Sequence, residues 1–122
     1  LAARYGVHLA LEANPPMYTN YLNGTADAFA LVKRLDNPGL SVNLDLSTVL
    51  VQGEHLQSFI DDMQYVSHVH ISEPGLVPIE HRPEHKELAL LLGAVGYVSV
   101  EMAHTDVDTI RRTMDYIAEV FA

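Results

Sequence analysis

Residues 66 to 72 read VSHVHIS. His68 and His70 are one residue apart, so in a β-strand both imidazoles point to the same face. Val69 and Ile71 fall on the opposite face, which is aliphatic. The stretch therefore predicts a strand that packs on apolar residues on one side and faces a polar space on the other.

Three other segments alternate in the same way and are also predicted to be strands. Each has aliphatic residues on one face and polar or ionisable residues on the other. They are residues 5–15, which Asn14, Pro15 and Pro16 end, residues 40–47 and residues 96–102.

Apolar residues at helical spacing follow each strand. The predicted helices cover residues 25–36, with Thr25 as N-cap, residues 54–63, residues 83–95, closing at Gly96, and residues 106–122, with Asp106 or Asp108 as cap. Strands that alternate with helices favour parallel β/α units. Because each strand has a polar face, a barrel with a site at its rim is favoured over an open sheet. The predicted fold class is α/β, with four parallel β/α units in one partial domain over residues 1–122.

The composition excludes several classes of protein. Sixteen acidic residues against seven Lys plus Arg give a formal charge of −9, which repels phosphate backbones and makes nucleic acid a poor partner. The chain has no cysteine, which excludes disulfides and thiolate zinc sites. No apolar run approaches the roughly 20 residues that a membrane span needs. We therefore expect a cytoplasmic protein that binds a small molecule and has no membrane partner.

One ionisable residue stands near the end of each predicted strand: Glu12, Asp45, His70 and Glu101. Their spacing is close to the roughly 31 residues that a barrel of about 250 residues allots to one β/α unit. All four lie on the polar face, so they should converge at one rim. Three carboxylates and one imidazole suit one divalent cation, with Mn²⁺ preferred and Mg²⁺, Co²⁺ or Zn²⁺ as alternatives.

Any one of these residues alone has an ordinary explanation. A single acid at a strand end is usually a cap or a solvated side chain, and a lone strand histidine is usually a hydrogen-bonded core residue. His68 and Asn43 lie one layer deeper, where they either orient a ligand by hydrogen bonding or are merely satisfied interior groups. His85 is near enough to the third strand to be a candidate as well.

Four segments resemble strands five to eight of the xylose-isomerase-like TIM-barrel superfamily: LALEANP (9–15), VNLDLS (42–47), HVHISE (68–73) and GYVSVEM (96–102). The superfamily includes sugar isomerases and epimerases, inosose dehydratases and apurinic endonucleases. The resemblance implies the C-terminal half of a (β/α)₈ barrel and a cation bound by the four residues above. It also implies that Glu12 and Glu101 act as an acid/base pair, which moves a proton next to a carbonyl through an enediolate.

The sequence departs from that family at two places near the expected pocket. The family often has a histidine three residues after the aspartate, where this chain has Thr48, which can hydrogen-bond a substrate hydroxyl. The loop after the third strand, ISEPGLVPIEHRPEH (71–85), lacks the common lysine-aspartate pair. Substrate choice is therefore expected to depend on this loop, with Glu73 and His85 as candidate substrate-binding or supporting residues.

A complete barrel needs roughly twice this length, so the chain is interpreted as half of a longer protein or a fragment of one. Half a barrel has two open edges, which a second copy could cover as a homodimer. The first functional hypothesis is a metal-dependent isomerase or epimerase of a sugar, polyol or ketose. The alternatives are a non-catalytic metal- or ligand-binding half-barrel, an inosose dehydratase-like lyase and, least favoured by the acidic charge, an apurinic endonuclease.

Overall fold

Four parallel strands form one sheet in the order β1-β2-β3-β4. The computed structural model describes residues 1–93 and 97–122. The strands are β1 (Leu9–Glu12), β2 (Leu40–Asp45), β3 (Val66–Ser72) and β4 (Tyr97–Glu101). Their sequence order equals their spatial order, and a helical segment crosses over between each pair, as in one half of a (β/α)₈ barrel. The predicted fold class is confirmed.

Helical segments alternate with the strands. The α-helices are α1 (Thr25–Leu35), α2 (Leu46–Gln52), α3 (Pro83–Leu92) and α4 (Val107–Val120), and 3₁₀ helices cover Ala2–Tyr5, Leu56–Tyr65 and Pro74–Leu76. No helix among the described residues has both the length and the apolar character needed to cross a membrane.

The helices pack on the aliphatic face of the sheet, as the alternation predicts. Val42 and Leu44 of β2 and Val69 and Ile71 of β3 are completely buried. The helices contribute apolar side chains to the same core, among them Ala28, Phe29, Val32, Leu46, Val49 and Leu88. Burial of each large aliphatic or aromatic side chain contributes about 1.5–3 kcal/mol, so this layer holds the strands in place and leaves their other face free for polar residues.

The second helical segment differs from the prediction of one helix over residues 54–63. Asp45 ends β2 and caps α2 directly, because its side chain accepts a hydrogen bond from the Ser47 N–H at 3.0 Å. Gly53, at φ 64°, ends α2, and a 3₁₀ helix follows from Leu56. No turn separates β2 from α2, so the sequence has no loop signal at this point.

Helix ends also differ in part from the predictions. Gly24, rather than Thr25, is the N-cap of α1, whereas Asp106, one of the two predicted caps, is the N-cap of α4. Helix α3 ends at Leu92. The predicted end at Gly96 lies outside the described residues.

Candidate metal centre

The polar face of the sheet brings three of the predicted ligands together. Glu12, His70 and Glu101 each offer a ligand atom, and these atoms lie within 4.8 Å of one another. His70 Nδ1 is 3.2 Å from Glu12 Oε2 and also 3.2 Å from Glu101 Oε2. All three side chains are partly buried.

The register of the strands explains why Glu12, His70 and Glu101 meet although they do not lie directly opposite one another. Glu12 is in register with Asn43, Asp45 with His70, and Ser72 with Glu101. From β1 to β4, the residues that reach the cluster therefore lie progressively further along their strands, as the tilt of barrel strands requires. A register shift between Val42 and Asn43 adds to this offset and keeps His68 and His70 on the polar face.

Asn43 lies against two of the three clustered residues. Its Nδ2 donates a hydrogen bond to Glu12 Oε2 and lies 3.3 Å from His70 Nε2. Within the described part of the chain, the buried Oδ1 atom of Asn43 has no hydrogen-bond partner. An amide in contact with two candidate ligands can hold their orientation, which is the role predicted for it.

The electrostatics of the cluster favour a cation. Burial is the main factor that raises the pKa of Glu12, and the negative charges of Asp45 and Glu101 raise it further. His70 and Asn43 oppose this effect only in part. A single N–H of the His70 ring would have to be shared between the two carboxylates. The cluster thus has an excess of acceptors, which a bound cation would satisfy.

The dimensions also fit a metal ion. Divalent cations bind carboxylate oxygen and imidazole nitrogen at roughly 2.0–2.3 Å, which places two ligand atoms at most about twice that distance apart. His70 Nδ1 lies 3.2 Å from an oxygen of each glutamate, inside this limit, and all the ligand atoms lie within 4.8 Å of one another. Glu12, His70 and Glu101 could therefore hold a hard or borderline divalent cation with little movement.

Asp45, the fourth predicted ligand, lies on the wall of the same pocket but outside this cluster of three. Its Oδ2 accepts hydrogen bonds from the Ser47 and Thr48 hydroxyls at 2.8 and 3.1 Å. Its Oδ1 accepts from the Ser47 N–H and the Ser72 hydroxyl. Hydroxyl donors can rotate away, so an oxygen of Asp45 can be released for another partner.

Thr48 does not reach the pocket. It is completely buried, and its hydroxyl donates to Ala13 O at 2.9 Å and to Asp45. The prediction that Thr48 binds a substrate hydroxyl is therefore not supported by its position. The reason is the immediate start of α2, which turns this side chain into the protein.

Glu73 and His85 also lie away from the candidate ligands. Glu73 is completely buried and pairs with Arg82, whose Nη2 is 2.6 Å from Glu73 Oε2. His85 is buried under α4, with its Nδ1 3.0 Å from the Tyr116 hydroxyl. Gly75 and Leu76, which the sequence did not single out, line the pocket in their place.

His68 is close to His70 without a hydrogen bond to it. The two rings meet edge to face with centroids 5.1 Å apart, and His68 Nε2 lies 2.8 Å from the Ser99 hydroxyl. Burial, followed by the neighbouring His70, lowers the pKa of His68. A neutral ring at this position supports His70 by packing rather than by the predicted hydrogen bond.

A pocket of about 280 Å³ opens beside the cluster at the carboxyl ends of the strands. Its lining includes the acidic residues Glu12, Asp45 and Glu101 together with Pro15, Tyr18 and Leu76. Barrel enzymes carry their active sites at this end. The position, the volume and the acidic wall suit a small polar molecule held next to a cation.

Comparison with known proteins shows the family to which the chain belongs. The chain belongs to the xylose isomerase-like TIM barrel family, whose model matches residues 1–120. No curated protein sequence matches the chain significantly.

Sugar epimerases are among the solved structures that the fold resembles. D-psicose 3-epimerase from Clostridium cellulolyticum H10, solved with D-tagatose, superposes with a TM-score of 0.78 at 18% identity. The 3-keto-D-glucoside 4-epimerase from E. coli also has a TM-score of 0.78, at 24% identity. The match covers 98% of this chain in both cases, but 51% and 47% of those chains. The chain thus spans about half the length of these structures, and at this identity the likeness establishes the fold.

Proposed function

We propose that the whole protein is a divalent-cation-dependent sugar isomerase or epimerase that acts on a ketose or a similar polyol. The observation that carries this proposal is the convergence of Glu12, His70 and Glu101 at the pocket rim. The family and the sugar epimerases among its structural neighbours support the same reaction class.

Glu12, His70 and Glu101 would hold the cation, with Asp45 as a fourth ligand once a hydroxyl partner turns away. Mn²⁺ is the preferred ion for this mixed set of oxygen and nitrogen donors, and Mg²⁺, Co²⁺ and Zn²⁺ are compatible with it. When bound, the cation would polarise a carbonyl group of the substrate and stabilise the negative charge that develops on its oxygen.

The two glutamates would transfer the proton. Removal of a proton from the carbon next to a carbonyl needs a base whose pKa lies near the working pH. Glu12 on β1 and Glu101 on β4 contact the same nitrogen of His70. They therefore approach the pocket from the two opposite edges of the sheet. One, as the carboxylate, can take the proton, and the other, already protonated, can donate its own proton to the opposite face of the carbon.

Hydrogen exchange with solvent tests this function. The whole protein, loaded with Mn²⁺ in D₂O, is expected to introduce deuterium next to the carbonyl of a ketose from a panel that includes D-tagatose and D-fructose. Glu12→Gln and Glu101→Gln should each lower the exchange rate at least about 100-fold, because each removes an acid/base group. Glu119→Gln, an exposed substitution on α4, is the control.

A second candidate, a non-catalytic half-barrel that binds a cation or ligand, rests on the chain spanning about half of its structural neighbours. Metal binding without deuterium exchange on any ketose, aldose or inosose would favour it and overturn the enzyme proposal.

A further inference from the structure

The loop from residue 14 to residue 23, here the β1–α1 loop, exposes large apolar side chains beside the candidate metal centre. Met17, Tyr18 and Tyr21 are each more than 60% exposed. Exposed apolar side chains that cluster next to a pocket are typical of binding surfaces. Tyr18 is the one that also lines the pocket.

Hydrogen bonds hold the backbone of this loop in one shape. The Asn14 N–H donates to Leu22 O at 3.0 Å, which closes the loop at its base. Asn23 Nδ2 bridges the interior by donating to Asn14 O and Thr19 O, both at 2.8 Å. The Tyr18 N–H donates to Pro15 O at 2.9 Å. The backbone that carries the Tyr18 ring is thus ordered before any ligand arrives, so binding costs less entropy.

The pocket presents two chemically different kinds of surface. Glu12, Asp45 and Glu101 supply carboxylates, whereas Pro15, Tyr18 and Leu76 supply apolar surface. Leu76 has a left-handed φ of 56° and is fixed there, since its N–H donates to Glu73 O at 2.8 Å and its carbonyl accepts from the Ala103 N–H at 2.7 Å. A side chain held in an unfavourable backbone conformation at a pocket rim points to use in binding.

A sugar has the matching two-sided character. Its hydroxyl and carbonyl oxygens can face the carboxylates and the cation, while its C–H groups form an apolar face. An aromatic ring buries such a face with little loss of side-chain entropy. We propose that Tyr18 is a substrate-binding residue whose ring packs on the C–H face of the sugar, opposite the metal ligands; the proposal rests on the sugar-directed function above.

Proton NMR of the Mg²⁺-loaded chain, titrated with D-tagatose, tests this contact directly. Mg²⁺ is diamagnetic and leaves the tyrosine ring signals sharp. The ring signals of Tyr18, assigned by their loss in Tyr18→Ala, should shift on addition of the sugar. Tyr18→Ala should raise the Kd at least about fivefold, the amount expected for an aromatic contact, whereas Tyr18→Phe should keep the wild-type Kd.

Tyr5 provides the matched control because it is 68% exposed and lies in the 3₁₀ helix that precedes β1. Tyr5→Ala should leave the Kd for D-tagatose unchanged. Equal Kd values for wild type and Tyr18→Ala, or no D-tagatose binding by the wild type, would overturn the proposal.

Cation binding is measured separately with Mn²⁺, and its failure would count against the proposed function. The sugar titration is scored on the Tyr18 ring signals and on the Kd of Tyr18→Ala relative to wild type, so failure of the Tyr18 contact is distinguished from failure of cation binding.

Discussion

At the scale of single residues, Asp45 both starts a helix and faces the candidate metal centre. Its carboxylate accepts hydrogen bonds from Ser47, Thr48 and Ser72, and it lines the pocket with Glu12 and Glu101. The buried hydroxyls around it compensate its charge in the absence of a cation. The folded chain can therefore keep an acidic pocket ready for a metal ion.

Burial of His85 predicts a pH dependence of stability. Burial lowers the pKa of His85 in the fold, so below the unfolded value of about 6.5 the unfolded chain binds the proton more tightly. The free energy of unfolding should therefore fall as the pH drops through about 6.5. Urea unfolding between pH 7.5 and pH 5.5 should show a smaller fall for His85→Gln than for wild type.

His55→Gln, which removes an exposed histidine, controls for the loss of a histidine as such. An identical pH dependence in wild type and His85→Gln would contradict the burial argument.

The residues of the candidate site differ in how well the sequence predicts them. The alternation along the strands is enough to predict that Glu12, His70 and Glu101 lie close together, because all three point to the same face of the parallel sheet. The comparison with the family pattern, rather than alternation, suggests Thr48 and Glu73. Both lie away from the pocket because they pair with Ala13 O, in a loop, and with Arg82, at a helix start. Tyr18 also lines the pocket, and the sequence does not predict this because a tyrosine in a loop belongs to no periodic pattern.

At the scale of elements, helix α1 is capped by a residue distant in sequence. Glu54 accepts hydrogen bonds from the Thr25 and Ala26 N–H groups, both at 3.1 Å. A Cβ atom on Gly24 would come within 3.0 Å of Glu54 Oε1, so glycine leaves room for this carboxylate. The contact ties the start of α1 to the segment after α2, and it explains why Thr25 is not the cap.

Removal of this cap should destabilise the protein. Glu54→Ala leaves two helix N–H groups without their acceptor and removes a negative charge from the positive end of the helix dipole, at a cost of about 1 kcal/mol. Urea unfolding measures the change. Glu119→Ala, an exposed substitution on α4, should change stability by less than about 0.5 kcal/mol, and an equal effect of both substitutions would contradict the capping role.

Strand β3 was predicted better than helix α2 for a physical reason. The segment 66–72 matches β3 completely, because its alternation reflects an aliphatic core on one side and a polar pocket on the other. Helix α2 escaped prediction because Asp45 belongs to both the strand and the helix cap. Local periodicity identifies an element only where a turn separates it from the next one.

At the scale of the whole molecule, the sheet edges are exposed. Leu9 of β1 is 55% exposed and Tyr97 of β4 is 73% exposed, and each of these strands pairs with a single neighbour among the described strands. Open edges favour pairing with further strands. It stays a prediction that a second copy covers these edges in a homodimer. The assignment of the four strands as the fifth to eighth of a complete barrel also stays a prediction.

Titration with Mn²⁺ followed by electron paramagnetic resonance measures whether residues from separate strands converge to hold one divalent cation. We expect one Mn²⁺ per chain, at least about a tenfold loss of affinity in Glu12→Gln, and wild-type affinity in Glu119→Gln. No stoichiometric binding, or equal affinity in Glu12→Gln and wild type, would contradict this expectation.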